Sequence, residues 1–393
     1  MCPTLPPLRF TGAQILRDGE MQQRSLAIRD GRITKGPLPE VDLSGYLILP
    51  GIIDLHGDAF ERHMAPRPTA PFDFMTGLAG TDRDAAANGI TTAWLAQSWS
   101  WEGGHRGPDH AEKLLAALSL YRPQALTDLR IQIRCETHLV DSGDRLLAAI
   151  RTHGVDYVVF NNHLDDVLDH ADTASPALYH WAKGAGRSIE EHIAAARAAK
   201  ARQPEVPRHL CRLADAFDRL GVIYGSHDDP DGETRERYSM IGARIAEFPT
   251  ARKAAAAAKA MNDPVLMGAP NLVRGRSQSG NVAAEDLVRQ GLCDALVSDY
   301  YYPALTRAVW HLVDKGIAPL PRAWAMISET PAQILRLPDR GRLDIGKRAD
   351  LTVINAETRL VEMTIADGRL AYLAGAAAQR MFDQNAGMKL AAE

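Results

Sequence analysis

Between residues 50 and 341, short apolar stretches alternate with helix-forming ones, and no other feature of this chain constrains its fold as tightly. Parallel strands need a crossover long enough to hold a helix, so this alternation predicts βα units around a parallel sheet. Strands are predicted over 52–56, 91–97, 131–138, 157–161, 222–227, 264–269 and 295–299, with Ala-, Arg- and Glu-rich helices between them, including 190–202 and 253–261. These are seven strands, and a closed (β/α)8 barrel has eight. The eighth is expected within 98–130 or 139–153; otherwise the barrel is distorted. Residues 163–187, long and polar, read as a loop over the mouth.

The two ends differ from the middle. Residues 8–47 look like short strands, with a hairpin turn at Asp30-Gly31, and 351–375 repeat the style around Asp367-Gly368. Together they predict one small β-sandwich, formed by 1–49 with 342–393, into which a barrel of 50–341 is inserted. The tail beyond Gly375 reads as a terminal helix or a frayed end.

Composition narrows the partners. With a net charge of −4, no general nucleic-acid or anionic-membrane surface is expected, and any anion site must come from local basic clusters. Cys2, Cys135, Cys211 and Cys293 are scattered, which suggests neither a disulfide framework nor a thiolate metal site. The lack of a signal-like start or a long apolar run makes the cytoplasm the expected setting.

Chemistry gathers at the strand ends. The stretch LPGIIDLHGDAFERHMAPRP (49–68) runs from a buried strand into His56-Gly57-Asp58, whose two functional side chains share one side. Glu136 and His138, His163, His227 with Asp228, and Asp299 follow at later strand ends. Parallel barrels build active sites there. Two divalent ions about 3.5–4 Å apart would need such a set, and would activate a water for attack. His56, Asp58 and Asp299 could hold one ion and His163 and His227 the other, with Glu136 between. Asp299 would act as general base. His138 is an alternative ligand, and Asp228 would orient a ligand or meet substrate.

Two segments suit anions. GAPNLVRGRSQSGN (268–281) offers Arg274, Arg276, Ser277 and Ser279 among glycines, and ERHMAPRP adds Arg62, His63 and Arg67. No P-loop and no strand-borne GxGxxG is present, so ATPase and dinucleotide readings lack their main support.

PGIIDLH, GITT (89–92) and GRLDIGKRADLTVI (341–354) resemble the amidohydrolase superfamily. DLHGDAFERHMAPRP, RCE, SHDD, GAPNLVRGRSQSGN and SDYYYP resemble its PhnM branch, in the carbon–phosphorus lyase pathway. The resemblance implies a metal-dependent (β/α)8 barrel with a small β-sandwich. It also implies hydrolysis of α-D-ribose 1-methylphosphonate 5-triphosphate to the 5-phosphate and pyrophosphate. By position it implies metal ligation by His56, Asp58, Glu136, His163, His227 and Asp299, and polyphosphate binding by Arg274, Arg276 and the ERHMAPRP residues. The chain departs from that branch after His163, where Leu164-Asp165-Asp166 replaces a Thr-Pro-Gly-Gln type segment.

The expected protein is therefore a phosphoanhydride hydrolase with a phosphorylated small-molecule substrate. Its expected cofactor is a divalent metal, zinc first and manganese, iron or nickel as alternatives, and a homodimer is the default assembly. The competing readings are an amide or cyclic-amide hydrolase and a non-catalytic scaffold subunit.

Overall fold

The computed structural model describes residues 4–67, 70–171, 175–277 and 280–390, with side chains described as far as 382. Eight parallel strands lie side by side in sequence order: β1 (Ile52–Gly57), β2 (Ile90–Trp99), β3 (Asp128–Glu136), β4 (Tyr157–Asn161), β5 (Ile223–His227), β6 (Ala246–Glu247), β7 (Val265–Gly268) and β8 (Ala295–Val297). The ring closes where the Asp299 N–H donates to the His56 carbonyl at 3.0 Å and the Asp58 N–H to the Asp299 carbonyl at 2.9 Å. The barrel is therefore complete.

Its eighth strand lies outside both expected segments. It is β6, two residues long, and it pairs with β5 through Ser226–Ala246 and with β7 through Ala246–Val265. A strand this short carries no apolar run, and its inward side chain is the charged Glu247.

Alternation along the strands sorts side chains into two layers. Trp94, Tyr157, Val159, Leu266 and Val297 fill the barrel interior, while Leu95, Ile133, Phe160 and Met267 face the surrounding helices. Helix Val206–Leu220 shows the outer logic. Its buried Val206, Leu210, Leu213, Ala214 and Phe217 recur at helical spacing, and Gly221, at φ 70°, ends it.

The chain ends form two further sheets. One contains Leu8–Thr11, Leu26–Arg29, Arg32–Thr34 and Glu40–Asp42; the other joins Gln14–Arg17, Glu20–Gln23 and Tyr46–Pro50 to Leu351–Asn355, Val361–Ala366 and Arg369–Leu373 through the pairing of Tyr46–Pro50 with Leu351–Asn355. Phe10, Ile28, Ile48, Val353 and Ile365 are buried together in their common core. The chain passes from this part into the barrel at Gly51. A Cβ there would lie 2.4 Å from Thr91 Oγ1, so no larger residue fits the crossing without a shift.

Within 163–187, where a loop was expected, the described residues form two helices. Helices Leu164–Ala171 and Pro176–Gly184 bury Leu164, Val167 and Leu178 against Trp101 and against Ala196 and Ala199 of helix Ile189–Ala201. Ser175 caps the second of these helices, and Ser188 with Glu191 forms a capping box on the third. The tail takes the first of its two expected forms, a helix, Gly375–Leu390.

Candidate active site

Closure of the barrel brings His56, Asp58 and Asp299 together, with one ligand atom of each within 4.8 Å of the others. A register irregularity between Asp54 and Gly57 re-aims the end of β1. Asp54 then ties β1 to β8, its carboxylate accepting the Ser298 N–H at 2.9 Å and the Ser298 hydroxyl at 2.6 Å. A Cβ on Gly57 would lie 2.8 Å from Asp54 Oδ2 and Ser298 Oγ, so the glycine between His56 and Asp58 is sterically required.

A second group shares His56. His56, His227 and Glu247 also offer ligand atoms within 4.8 Å of one another. His56 Nδ1 lies 2.9 Å from Glu247 Oε2, while Glu247 Oε1 accepts from Gln132 at 2.6 Å and from the Tyr157 hydroxyl at 2.5 Å. Burial disfavours charge on both partners of the His56–Glu247 pair, yet their mutual attraction wins: the pKa of His56 is shifted up and that of Glu247 down. Phe248 walls the group, its ring 4.9 Å from that of His56 and 5.0 Å from that of His227.

Burial and the neighbouring Asp58 push the Asp299 carboxyl up to about 7. Among the described residues, neither the Asp58 nor the Asp299 carboxylate accepts a side-chain hydrogen bond. Burial lowers the pKa of His227, whose Nδ1 lies 2.8 Å from Asp228 Oδ2 but off-line for a hydrogen bond, and whose buried Nε2 has no partner. Two facing carboxylates and an orphaned imidazole nitrogen suit a divalent cation.

The other expected ligands stand apart from both groups. Glu136 is buried and accepts from the Asn161 side chain, from the His163 backbone N–H at 2.9 Å and from Trp101 Nε1 at 3.1 Å. His163 Nδ1 faces Glu102 at 3.4 Å, and its ring packs against Trp181. Burial and Glu102 raise the pKa of Glu136 to about 7. His138 Nε2 is held by Gln203 Oε1 at 2.7 Å.

A cleft of about 1,500 Å³ opens above the barrel. Asp228, Arg274 and Ser277 line it with His56, Asp58, His163, His227 and Asp299. Arg276 is exposed and does not line it, and Ser279 falls outside the described residues. Arg62 and Arg67 are exposed away from the lining, and His63 turns towards Asp84 at 3.3 Å. Residues Glu61–Met64 form a helical turn. Burial first and Asp58 next shift its Glu61 carboxyl up.

Sequence reasoning missed Glu247, Arg106, Glu102 and Arg134, all at or beside the site. Arg134 was findable: it precedes Glu136 by two on a predicted strand and so shares its face.

No family model matches the chain. Over 362 residues it is 32% identical to the alpha-D-ribose 1-methylphosphonate 5-triphosphate diphosphatase of Escherichia coli (strain K12), covering 88% of this chain and 94% of that protein. The chain belongs to this diphosphatase family. Solved structures agree on its architecture. The diphosphatase-family chain aligns with a beta-aspartyl dipeptidase from Fervidobacterium islandicum AW-1 at TM-score 0.63 and 12% identity, over 93% of this chain and 97% of the other. It aligns with N-acetylglucosamine-6-phosphate deacetylase from Pasteurella multocida at TM-score 0.61 and 12% identity, over 93% and 99%. The chain thus shares the barrel fold of these enzymes. Among the described residues, no helix is long and apolar enough to cross a membrane.

Proposed function

We propose that this chain hydrolyses α-D-ribose 1-methylphosphonate 5-triphosphate to the 5-phosphate and pyrophosphate. The family membership carries the reading: the chain matches a diphosphatase of that substrate along nearly its whole length. Two cleft arginines support it. Among the described residues, Arg134 and Arg274 line the cleft without a carboxylate partner, Arg274 donating only to the Tyr300 hydroxyl at 3.2 Å. An uncharged amide would leave both guanidinium groups facing nothing, whereas a triphosphate meets them with oxygens.

His56, Asp58, His227 and Asp299 are the proposed holders of the metal, with zinc as the proposed ion. When bound, such an ion polarises a phosphoryl oxygen and acidifies water. Asp299 takes the proton of the attacking water, whose oxygen bonds to phosphorus as the anhydride bond between the first and second phosphoryl groups breaks. Pyrophosphate leaves, and Arg274 offsets the charge it carries. Residues 1–49 with 342–393 are proposed as the supporting unit and 50–341 as the catalytic one.

The test offers zinc- or manganese-loaded protein the phosphonate triphosphate, a nucleoside triphosphate and a cyclic amide, following pyrophosphate and amide cleavage separately. Pyrophosphate release is expected from the phosphonate, abolished by a chelator and slowed about 10²–10⁴-fold in Asp299→Asn at unchanged melting temperature. Amide cleavage, or full activity of Asp299→Asn, would sink the reading.

A further inference from the structure

The two cation-competent groups share one histidine, and that limits what they can hold. His56 Nδ1 is engaged by Glu247 Oε2 at 2.9 Å, which leaves Nε2 as its single free ring nitrogen. One nitrogen lone pair binds one ion. Glu247 is committed as well: Oε1 takes the Gln132 amide and the Tyr157 hydroxyl, and Oε2 takes His56. A carboxylate used in this way is a support for a ligand histidine. Of the residues that would complete a second centre, Glu136 is taken by Asn161, Trp101 and the His163 backbone, and His163, its Nδ1 facing Glu102, belongs to neither ligand group.

A guanidinium faces the site instead. Arg134 lies on β3, two residues from the inward-facing Gln132 and two from Glu136, and lines the cleft with His56, Asp58, His227 and Asp299. Its Nε is buried and has no hydrogen-bond partner, and the side chain forms no ion pair among the described residues. Its charge acts on His56, His227, Asp228, Asp299 and Glu61 together. An arginine held inside a barrel among so many acidic and imidazole groups, yet bonded to none, has donors to spare for an incoming anion.

We propose that the enzyme works with one divalent ion per chain, and that Arg134 supplies the second fixed positive charge, gripping a phosphoryl oxygen that a second metal would otherwise hold. In two-metal phosphoryl-transfer sites the second ion clamps the reacting group and offsets its charge. A guanidinium offers the same charge with two parallel donors and needs no ligands of its own. The clamping role rests on the phosphoanhydride reading above; the ion count does not.

The test begins with the wild-type chain, saturated with zinc or with manganese, freed of excess metal and assayed by elemental analysis without substrate. About one ion per chain is expected, and two per chain would overturn the proposal. Arg134→Gln and Arg134→Ala should keep that count and the wild-type melting temperature while kcat for pyrophosphate release falls at least about 100-fold. Added guanidinium ion should restore part of the activity of Arg134→Ala, which a purely structural role would not permit. Activity within threefold of wild type in Arg134→Gln, or no rescue by guanidinium, would overturn the clamping role. One ion per chain in a wild type that cleaves no triphosphate would instead sink the functional reading and leave the ion count standing.

Discussion

Asp228, Phe248 and Asp299 have φ of 59°, 48° and 54°. Side chains other than glycine rarely adopt this left-handed region, at a cost of about 1–2 kcal/mol each. Asp228 and Phe248 follow directly on barrel strands and Asp299 one residue later, where the chain must turn sharply while pointing a side chain into the mouth. The backbone is strained where the chemistry is. Glu247 belongs to the same scale. By accepting from His56 Nδ1 it fixes the tautomer and leaves Nε2 free to bind a cation. Glu247→Gln should therefore weaken metal affinity about 10–100-fold, measured by competition with a chromophoric chelator. Unchanged affinity would mean that the ring is held by packing against Phe248 instead.

At the scale of elements, the lid is three helices over the cleft, with Ala177, Trp181 and Lys200 among its lining residues. Replacing the Ser188 cap by alanine should cost about 1 kcal/mol of local stability. It should appear as faster amide exchange in Ile189–Ala201 and a raised KM, with kcat little altered. A change in kcat alone would contradict a lid role. These elements also show what was legible beforehand. Seven barrel strands announce themselves because each is an apolar run between breakers. β6 does not, since Ala246–Glu247 holds one small and one charged residue and is a strand only because β5 and β7 flank it. Glu247 was lost with it. The lid helices hid for a related reason: Leu164, Val167 and Leu168 have helical spacing, but Asp165, Asp166, Asp169 and His170 mask it. His56, Asp58, His227 and Asp299 were legible because a polar residue closing an apolar strand stands out. Glu136 and His163 stood out in the same way, and only the hydrogen bonds the fold supplies set them apart from that group.

For the molecule as a whole, the barrel floor is fastened by charge. Asp128 accepts from Arg130 at 2.9 Å and from Arg340 at 2.7 Å, and Arg340 also reaches Thr92. Burial opposes ionisation of Asp128, but the two guanidinium groups prevail and hold its carboxyl at about 2. A carboxyl depressed in the folded state contributes stability above its unfolded pKa, near 3.8, and loses that contribution as pH falls towards 2. Asp128→Asn should thus lose about 1–2 kcal/mol at neutral pH and show a flatter decline between about pH 4 and pH 2 in denaturant titrations. A parallel decline in both proteins would show that the fastening is not electrostatic.

The passage at Gly51 has a consequence for biosynthesis. Strand Tyr46–Pro50, which leads directly into the barrel, pairs along its length with Leu351–Asn355, a segment translated some three hundred residues later. While the ribosome makes the barrel, that strand waits with an open, wholly buried-type edge of Tyr46, Leu47, Ile48 and Leu49. The nascent chain can assemble its α/β units in order, but it cannot close its own beginning until its end emerges. Closure of that sheet therefore waits until Leu351–Asn355 has been made. Until then, this apolar strand depends on slow non-local pairing or on a chaperone to stay soluble.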